Sequence, residues 1–576
     1  MSDQAQAATA AAADSIPALA LRPAAEVMRL ARLGSFHATR LSFVRTLIRR
    51  MAREHWTIDR ARFELDDDGF GVAVYTVTTP AGPLNFLAFS NYLDPEDRTD
   101  RVIATRWDAA FSLTREALGD ALIERLRGNT PRQEAGRFGP DDLVLSRANK
   151  SVRMFESVAG ALATGRQPDP SAILDAGYLM RTTAVYGNGK GGMADWARVR
   201  QSGIFTLPYQ AEMLVVYLAR HFSLDLLNHV AKCRNPRRAV ALDRRLARCF
   251  GVGNATGLGM APFLANHPKL LDRWIGAREL ALARVRAVRA ATPVKRARYA
   301  ALLDRALAHV RQWRTADTRQ AERIRLLDTE LADFRARDLP ARDPWDWVVR
   351  RADRYLSLET AELLNSVLIE LYPELVDELE NSTGDDEREE LAPHMTLGAL
   401  KSMVERDYGW ALAIDFSAAG AEHFFWYWSA EKLEPRIGVR NREPGADKEM
   451  RVDIARQVWR LHRTLAELDE AGLARSVAEF LVAAPHWRWI VRRIQSLSER
   501  RYAEIHDNTL SSDCLPIDLL RCKLSIFGAT KFDPKSDRWT RITLCQGAPL
   551  ADELDSGDAD DWCFPVIPDA LDGAAR

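Results

Sequence analysis

The residues best suited to chemistry lie in one run, Arg181-Thr-Thr-Ala-Val-Tyr186-Gly187-Asn188-Gly189-Lys190-Gly191-Gly192. Its glycines accept positive φ and let a ligand approach the backbone, and successive exposed N–H groups form a concavity for anions. Arg181 and the amides of Gly187, Asn188, Gly189 and Gly191 then read as a clamp for a carboxylate or phosphate. Lys190 and Tyr186 read as proton-handling groups, with Asp195 orienting Lys190. A plain flexible turn with a solvated lysine is the competing reading.

An echo favours the functional one. Phe527-Gly528-Ala529-Thr530-Lys531 repeats the aromatic, glycine and lysine, and Arg521 stands where Arg181 stands in the first run. Arg521 and Lys531 are therefore expected to bind anions or to support the first loop.

A second glycine-rich stretch runs Gly251-Val-Gly253-Asn254-Ala-Thr256-Gly257-Leu-Gly259. Its spacing is near that of a dinucleotide-binding loop, but such a loop follows a strand, and Ala241–Phe250 reads as helix. Gly253, Asn254, Thr256, Gly257 and Gly259 are expected to form a connector that can line an anion site. His267, just beyond, is a candidate acid or base beside it. In the aromatic strand 423–428, His423 is a second candidate for proton transfer, and Asp415 is placed on the neighbouring strand.

No GxxxxGK[ST] loop, HExxH, GxSxG elbow or calcium-binding loop occurs in the sequence. The six cysteines contain no CxxC pair, so neither a metal nor a tightly bound cofactor is expected. Lys+Arg and Asp+Glu are equal at 80 each, which removes any global electrostatic case for nucleic acid or an acidic membrane. No run approaches the length of a membrane span. Abundant arginine and alanine suggest a GC-rich bacterial source, and the reduced cysteines fit a cytoplasmic location.

The elements that must position these residues show an internal echo. Asp67-Asp-Gly-Phe-Gly-Val-Ala-Val matches Asp407-Tyr-Gly-Trp-Ala-Leu-Ala-Ile, and further matches keep offsets of 339–345. Leu179–Thr182 pairs with Leu519–Cys522, and Arg106-x-Asp108-x-Ala110 with Arg451-x-Asp453-x-Ala455. This pattern predicts a duplication. The expected fold class is α+β, predominantly helical, with two repeated lobes. Each lobe is a small antiparallel sheet with helices, related by a pseudo-twofold axis and bridged by a helical insert.

The segments are a leader (1–23), a first lobe (24–207), an insert (208–393), a second lobe (394–550) and an acidic, partly disordered tail (551–576). Strands are expected over Gly71–Thr79 and Leu84–Phe89, joined by the Pro80–Pro83 turn. A further strand is expected over Arg101–Trp107, then helix from Asp108 to Leu179. In the second lobe, Trp410–Phe416, Lys523–Phe527 and Arg541–Cys545 read as strands. Tyr299, Leu302, Leu303, Ala306, Leu307 and Val310 follow a helical period, and residues 324–334 pair with that helix as a hairpin. Pro23–Glu54 reads as helix with its arginines on the polar face.

The combined expectation is acid–base chemistry of lyase or hydrolase type on a small carboxylate- or phosphate-bearing metabolite, in a cleft between lobes. No nucleic-acid or membrane partner is expected, and a homo-oligomer is compatible. The alternatives are a non-catalytic scaffold or regulatory protein and an NAD(P)-dependent oxidoreductase using the Gly251–Gly259 segment.

Overall fold

The computed structural model describes residues 21–92, 107–129, 139–150, 152–187, 201, 203–257, 264–265, 267–383, 391–417, 425–429, 434–437, 450–451, 454–506, 516–535, 539–557 and 559–569. It is an α+β fold in which helix predominates. Its organiser is a nine-stranded sheet ordered β1-β2-β3-β4-β5-β6-β7-β12-β11. These strands are β1 (Thr57–Leu65), β2 (Gly71–Thr79), β3 (Gly82–Tyr92), β4 (Trp107–Thr114), β5 (Asp142–Lys150), β6 (Tyr178–Gly187), β7 (Gly251–Gly257), β11 (Lys531–Pro534) and β12 (Trp539–Leu544). The first six run as an antiparallel meander, β7 lies parallel to β6, and β12 and β11 extend the far edge antiparallel. A separate small sheet holds β8 (Phe425–Ser429), β9 (Glu434–Ile437) and β10 (Met450–Arg451).

The principal helices are α1 (Phe43–Arg53), α2 (Val152–Ala163), α3 (Gln210–Arg234), α4 (Pro268–Arg286), α5 (Pro293–Arg311), α6 (Thr318–Arg335), α7 (Pro344–Tyr355), α8 (Leu358–Leu371), α9 (Leu397–Asp407), α10 (Gly409–Leu412), α11 (Ile454–Ala466), α12 (Arg488–Leu497) and α13 (Arg521–Phe527).

Period-two alternation sorts β2 between the two faces of the sheet. Ala73, Tyr75 and Val77 join the main core, while Val72 and Val74 meet Leu87, Phe89, Leu122, Ile123 and Leu126 opposite. Each such valine is worth roughly 1.5–3 kcal/mol of burial. The main-core face is covered by α3, which is apolar nearly all round and buried along most of its length, as a central helix must be. Within it, Arg220 donates to the carbonyls of Phe250, Pro549, Ala247, Arg248 and Ala548, stapling the entry to β7 against the C-terminal segment. Helices α4 to α8 form a second core, and α9 to α12 a third.

Five arginines of the N-terminal segment, Arg22, Arg32, Arg40, Arg45 and Arg49, are buried rather than solvated. Arg22, Arg32 and Arg278 all donate to Glu362, at 2.9, 2.7 and 2.6 Å. Arg40 reaches Asp377 and Asp560, Arg45 reaches Glu370, and Arg49 reaches Glu380. A buried guanidinium persists only with such partners, and those of Arg22, Arg32, Arg40, Arg45 and Arg49 lie more than 250 residues away in sequence, so no local pattern announces them.

Other expectations also change. The duplication is not confirmed: Leu179–Thr182 is strand, whereas Leu519–Cys522 is 3-10 and α-helix, and Gly71–Thr79 is strand while Gly409–Leu412 is helix. The sheet is large, not small, and draws strands from the first-lobe, insert and second-lobe segments alike. The span from Asp108 to Leu179 contains β4 and β5. Lys523–Phe527 is helical, and Asp415 sits in a turn, accepting from the Ser417 amide at 2.9 Å. The acidic tail packs through its described part: Arg244 holds Asp552, Arg298 and Arg305 hold Asp561, and Trp562 is buried.

The helix over 293–311 and its antiparallel partner, with Asp317 capping α6 through the Gln320 amide, follow the sequence pattern. No helix among the described residues is long and apolar enough to cross a membrane.

Candidate functional site

Strand register brings three of the sequence-selected residues into one row. Lys531 pairs with Thr543, Thr543 with Gly253, and Gly253 with Arg181, across β11, β12, β7 and β6. Registered neighbours share a face of a sheet, so a lysine, a hydroxyl, a bare backbone position and an arginine stand side by side. Asp533 and Arg541 form the adjacent pair on the same face.

The bare position has a steric origin. A Cβ on Gly253 would lie 2.5 Å from the ring of Tyr178, and one on Gly251 would lie 2.2 Å from the Leu544 carbonyl oxygen. The stretch expected to be a glycine-rich connector is therefore a strand through Gly257, and its glycines admit a neighbouring ring and backbone. Asn254 alternates to the opposite face, where its Nδ2 donates to Thr182 Oγ1 at 2.9 Å, so it leaves the row. Thr256 pairs with Thr540, and Gly257 ends β7 beside Trp539.

The electrostatics of the row are unusual for a sheet face. Lys531 is buried, and its ammonium donates to the Leu174 carbonyl at 2.5 Å. Burial pushes its pKa down from 10.5 to about 8; Lys535 and Arg541 push the same way, against Asp533 and Asp175. Tyr178 is raised, first by burial, with Arg541 and Arg181 opposing. Arg541 reaches the Asp175 carbonyl, and Arg181 donates to Asn149 Oδ1 at 3.4 Å. Lys535 pairs with the buried Asp533 carboxylate. Between Lys531 and Gly253, the Thr543 hydroxyl is fully buried and has no hydrogen-bond partner among the described residues.

The remaining sequence candidates distribute as follows. Tyr186 and Gly187 end β6, opposite Leu145 and Val144 of β5. Asn188, Gly189, Lys190, Gly191, Asp195, Gly259 and His423 lie outside the described residues. His267 occupies the N-cap position of α4 without a side-chain cap and is not part of the row. Arg521 is on α13, buried, donating to Glu359 and to the Phe36 carbonyl. It lines a separate small cavity on the other side of β11.

Sequence reasoning missed Tyr178, Asp533, Arg541 and Thr543. Alternation within the strand expected over Arg541–Cys545 would have placed Arg541 and Thr543 together, but the link to Gly253 requires the sheet order.

A wider concavity of about 430 Å³ opens where α9, α10 and the end of α12 meet the body. Trp410 stacks on His506 there at 4.2 Å, with Tyr408, Arg500, Arg501 and Glu504 around them. Glu504 accepts from Arg493 Nε and Nη2, at 2.8 and 2.7 Å. No group of three or more His, Cys, Asp or Glu suited to a metal ion occurs among the described residues. No protein-family model, curated protein or solved structure matches the chain.

Proposed function

We propose that the protein binds a small carboxylate- or phosphate-bearing metabolite against the β6–β7–β12–β11 face and acts on it by acid–base chemistry of lyase or hydrolase type. The observation that carries this reading is the cross-strand row Arg181–Gly253–Thr543–Lys531, in which a desolvated lysine stands next to a hydroxyl with no partner among the described residues. A lysine with a pKa of about 8 exchanges a proton near neutrality far more readily than an ordinary one. Arg181 and Arg541 supply charge for an anion, and the Thr543 hydroxyl can donate to it.

The test is a thermal-shift screen with inorganic phosphate, citrate, malate and NAD(P)H, repeated on Lys531→Met and Arg181→Met. The reading expects an anion to raise the wild-type melting temperature in a saturable way, and both variants to lose that rise. An anion response retained in both variants contradicts it. A response to NAD(P)H alone would favour a nicotinamide enzyme instead.

A further inference from the structure

A second site, on the other side of β11, is a largely apolar cavity with several N–H donors set in its lining. Thr530 and Phe532 flank Lys531 in sequence and line a cavity of about 50 Å³ together with Arg45, His37, Arg521 and Trp562. Two N–H groups of this lining, Arg45 Nε and Trp562 Nε1, are buried and have no hydrogen-bond partner among the described residues. Both residues are more than nine-tenths buried, at 5 % and 3 % exposure. The Arg45 guanidinium lies 4.8 Å over the Trp562 ring, so the two donors belong to one packed pair.

The histidines add no negative charge. Arg521 Nη2 approaches His37 Nε2 at 3.3 Å, which makes that nitrogen the acceptor and puts the His37 proton on Nδ1. His309 Nε2 lies 3.1 Å from Trp313 Nε1 and 3.0 Å from the Thr530 carbonyl oxygen, and His309 Nδ1 lies 2.7 Å from the Pro565 carbonyl oxygen. Burial lowers the pKa of both rings, that of His309 to about 4, so both are neutral at neutral pH. No carboxylate lines the cavity: Glu359, which holds Arg521, and Glu370, which holds Arg45, are outside the lining.

Size narrows the ligand. One water needs roughly 10–15 Å³ of such space, so the cavity admits three or four heavy atoms and excludes the metabolites considered for the sheet face. We infer that this cavity is a binding site for a small monovalent anion, a halide or a planar monocarboxylate of formate size. Its donors come from two parts of the chain: Arg45 and Arg521 from the body, and Trp562 from the C-terminal segment. The bound anion ties that segment to the body, acting as a latch.

The experiment compares melting temperatures at constant ionic strength in sodium formate, sodium chloride and sodium gluconate, the last too large to enter. Formate or chloride is expected to raise the wild-type melting temperature saturably, by roughly 2–4 °C over gluconate. Trp562→Phe, which removes the Nε1 donor and keeps a ring, is expected to lose the difference. Saturation by formate alone assigns a carboxylate, and by both a general anion site. Superimposed curves in the three salts overturn the inference, as does an undiminished rise in the variant. Should Trp562→Phe fail to fold, a bromide soak of wild-type crystals decides. An anomalous peak within hydrogen-bond reach of Trp562 Nε1 supports the site, and a cavity that takes neither bromide nor, in a parallel soak, formate overturns it.

Discussion

Replacing Lys531 by methionine should change how stability depends on pH. Lys531 is 7 % exposed and its pKa falls from 10.5 to about 8, with burial the largest cause. Each unit is worth roughly 1.4 kcal/mol, so the folded state is disadvantaged by about 3.5 kcal/mol wherever the side chain must be charged. Between pH 8 and 10.5 the unfolded chain binds a proton that the folded chain has released. Stability therefore rises with pH across that window, and below pH 8 the full penalty is present. Lys531→Met lacks this ionisation. In urea unfolding followed by tryptophan emission, wild type should gain about 2–3 kcal/mol on the variant between pH 7.5 and 10.5. The loss of the bond to the Leu174 carbonyl offsets the two curves by about 1 kcal/mol without changing their divergence. Parallel curves across the window would refute a desolvated Lys531 and, with it, the acid–base role.

Three further outcomes follow from the same geometry. Glu362→Gln leaves Arg22, Arg32 and Arg278 around a neutral amide and should cost about 3–5 kcal/mol in unfolding at neutral pH. Burial opposes the Glu362 charge, but the three guanidiniums outweigh it and hold its pKa low, so the difference should shrink as pH falls below about 4.3, the unfolded carboxyl value. Gly253→Ala forces a methyl against the Tyr178 ring and should cost about 1–3 kcal/mol; a neutral effect in the same assay would contradict the register of β6 and β7. Asp560→Asn weakens the anchor of the C-terminal segment at Arg40, Arg45 and Arg49, and should speed proteolysis there and shift Trp562 emission to the red. Unchanged cleavage would mean the segment is held without that carboxylate.

What the sequence disclosed depended on whether a residue's partner was local. Strands β2 and β3 and the turn between them were legible because Val, Tyr, Thr and Phe, good strand formers, cluster on both sides of the Pro80–Pro83 interruption. Helix α5 was legible from its regular apolar spacing. Strand β5 was not, since seven of its nine residues are buried and its run of Leu, Val, Ser and Ala lacks alternation, which suits a buried helix as well. The short apolar run of α13 posed the same ambiguity in reverse. Glycines in β7 read as loop because their reasons, the Tyr178 ring for Gly253 and the Leu544 carbonyl for Gly251, lie far away in sequence.

The candidate site was legible by residue, not by arrangement. Arg181, Gly253 and Lys531 were each selected for their chemistry, and the sheet order sets them in a row. The buried arginines read as solvated because charge balance is visible in sequence while pairing at a distance is not.

Thr543→Val gives the most direct measurement. The substitution is nearly isosteric and removes a buried hydroxyl that has no partner among the described residues, so the unliganded protein should melt at the same or a higher temperature. In calorimetric titration, phosphate or citrate should bind wild type and bind the variant at least tenfold more weakly. Equal affinity in the two proteins would contradict a ligand site on the β6–β7–β12–β11 face.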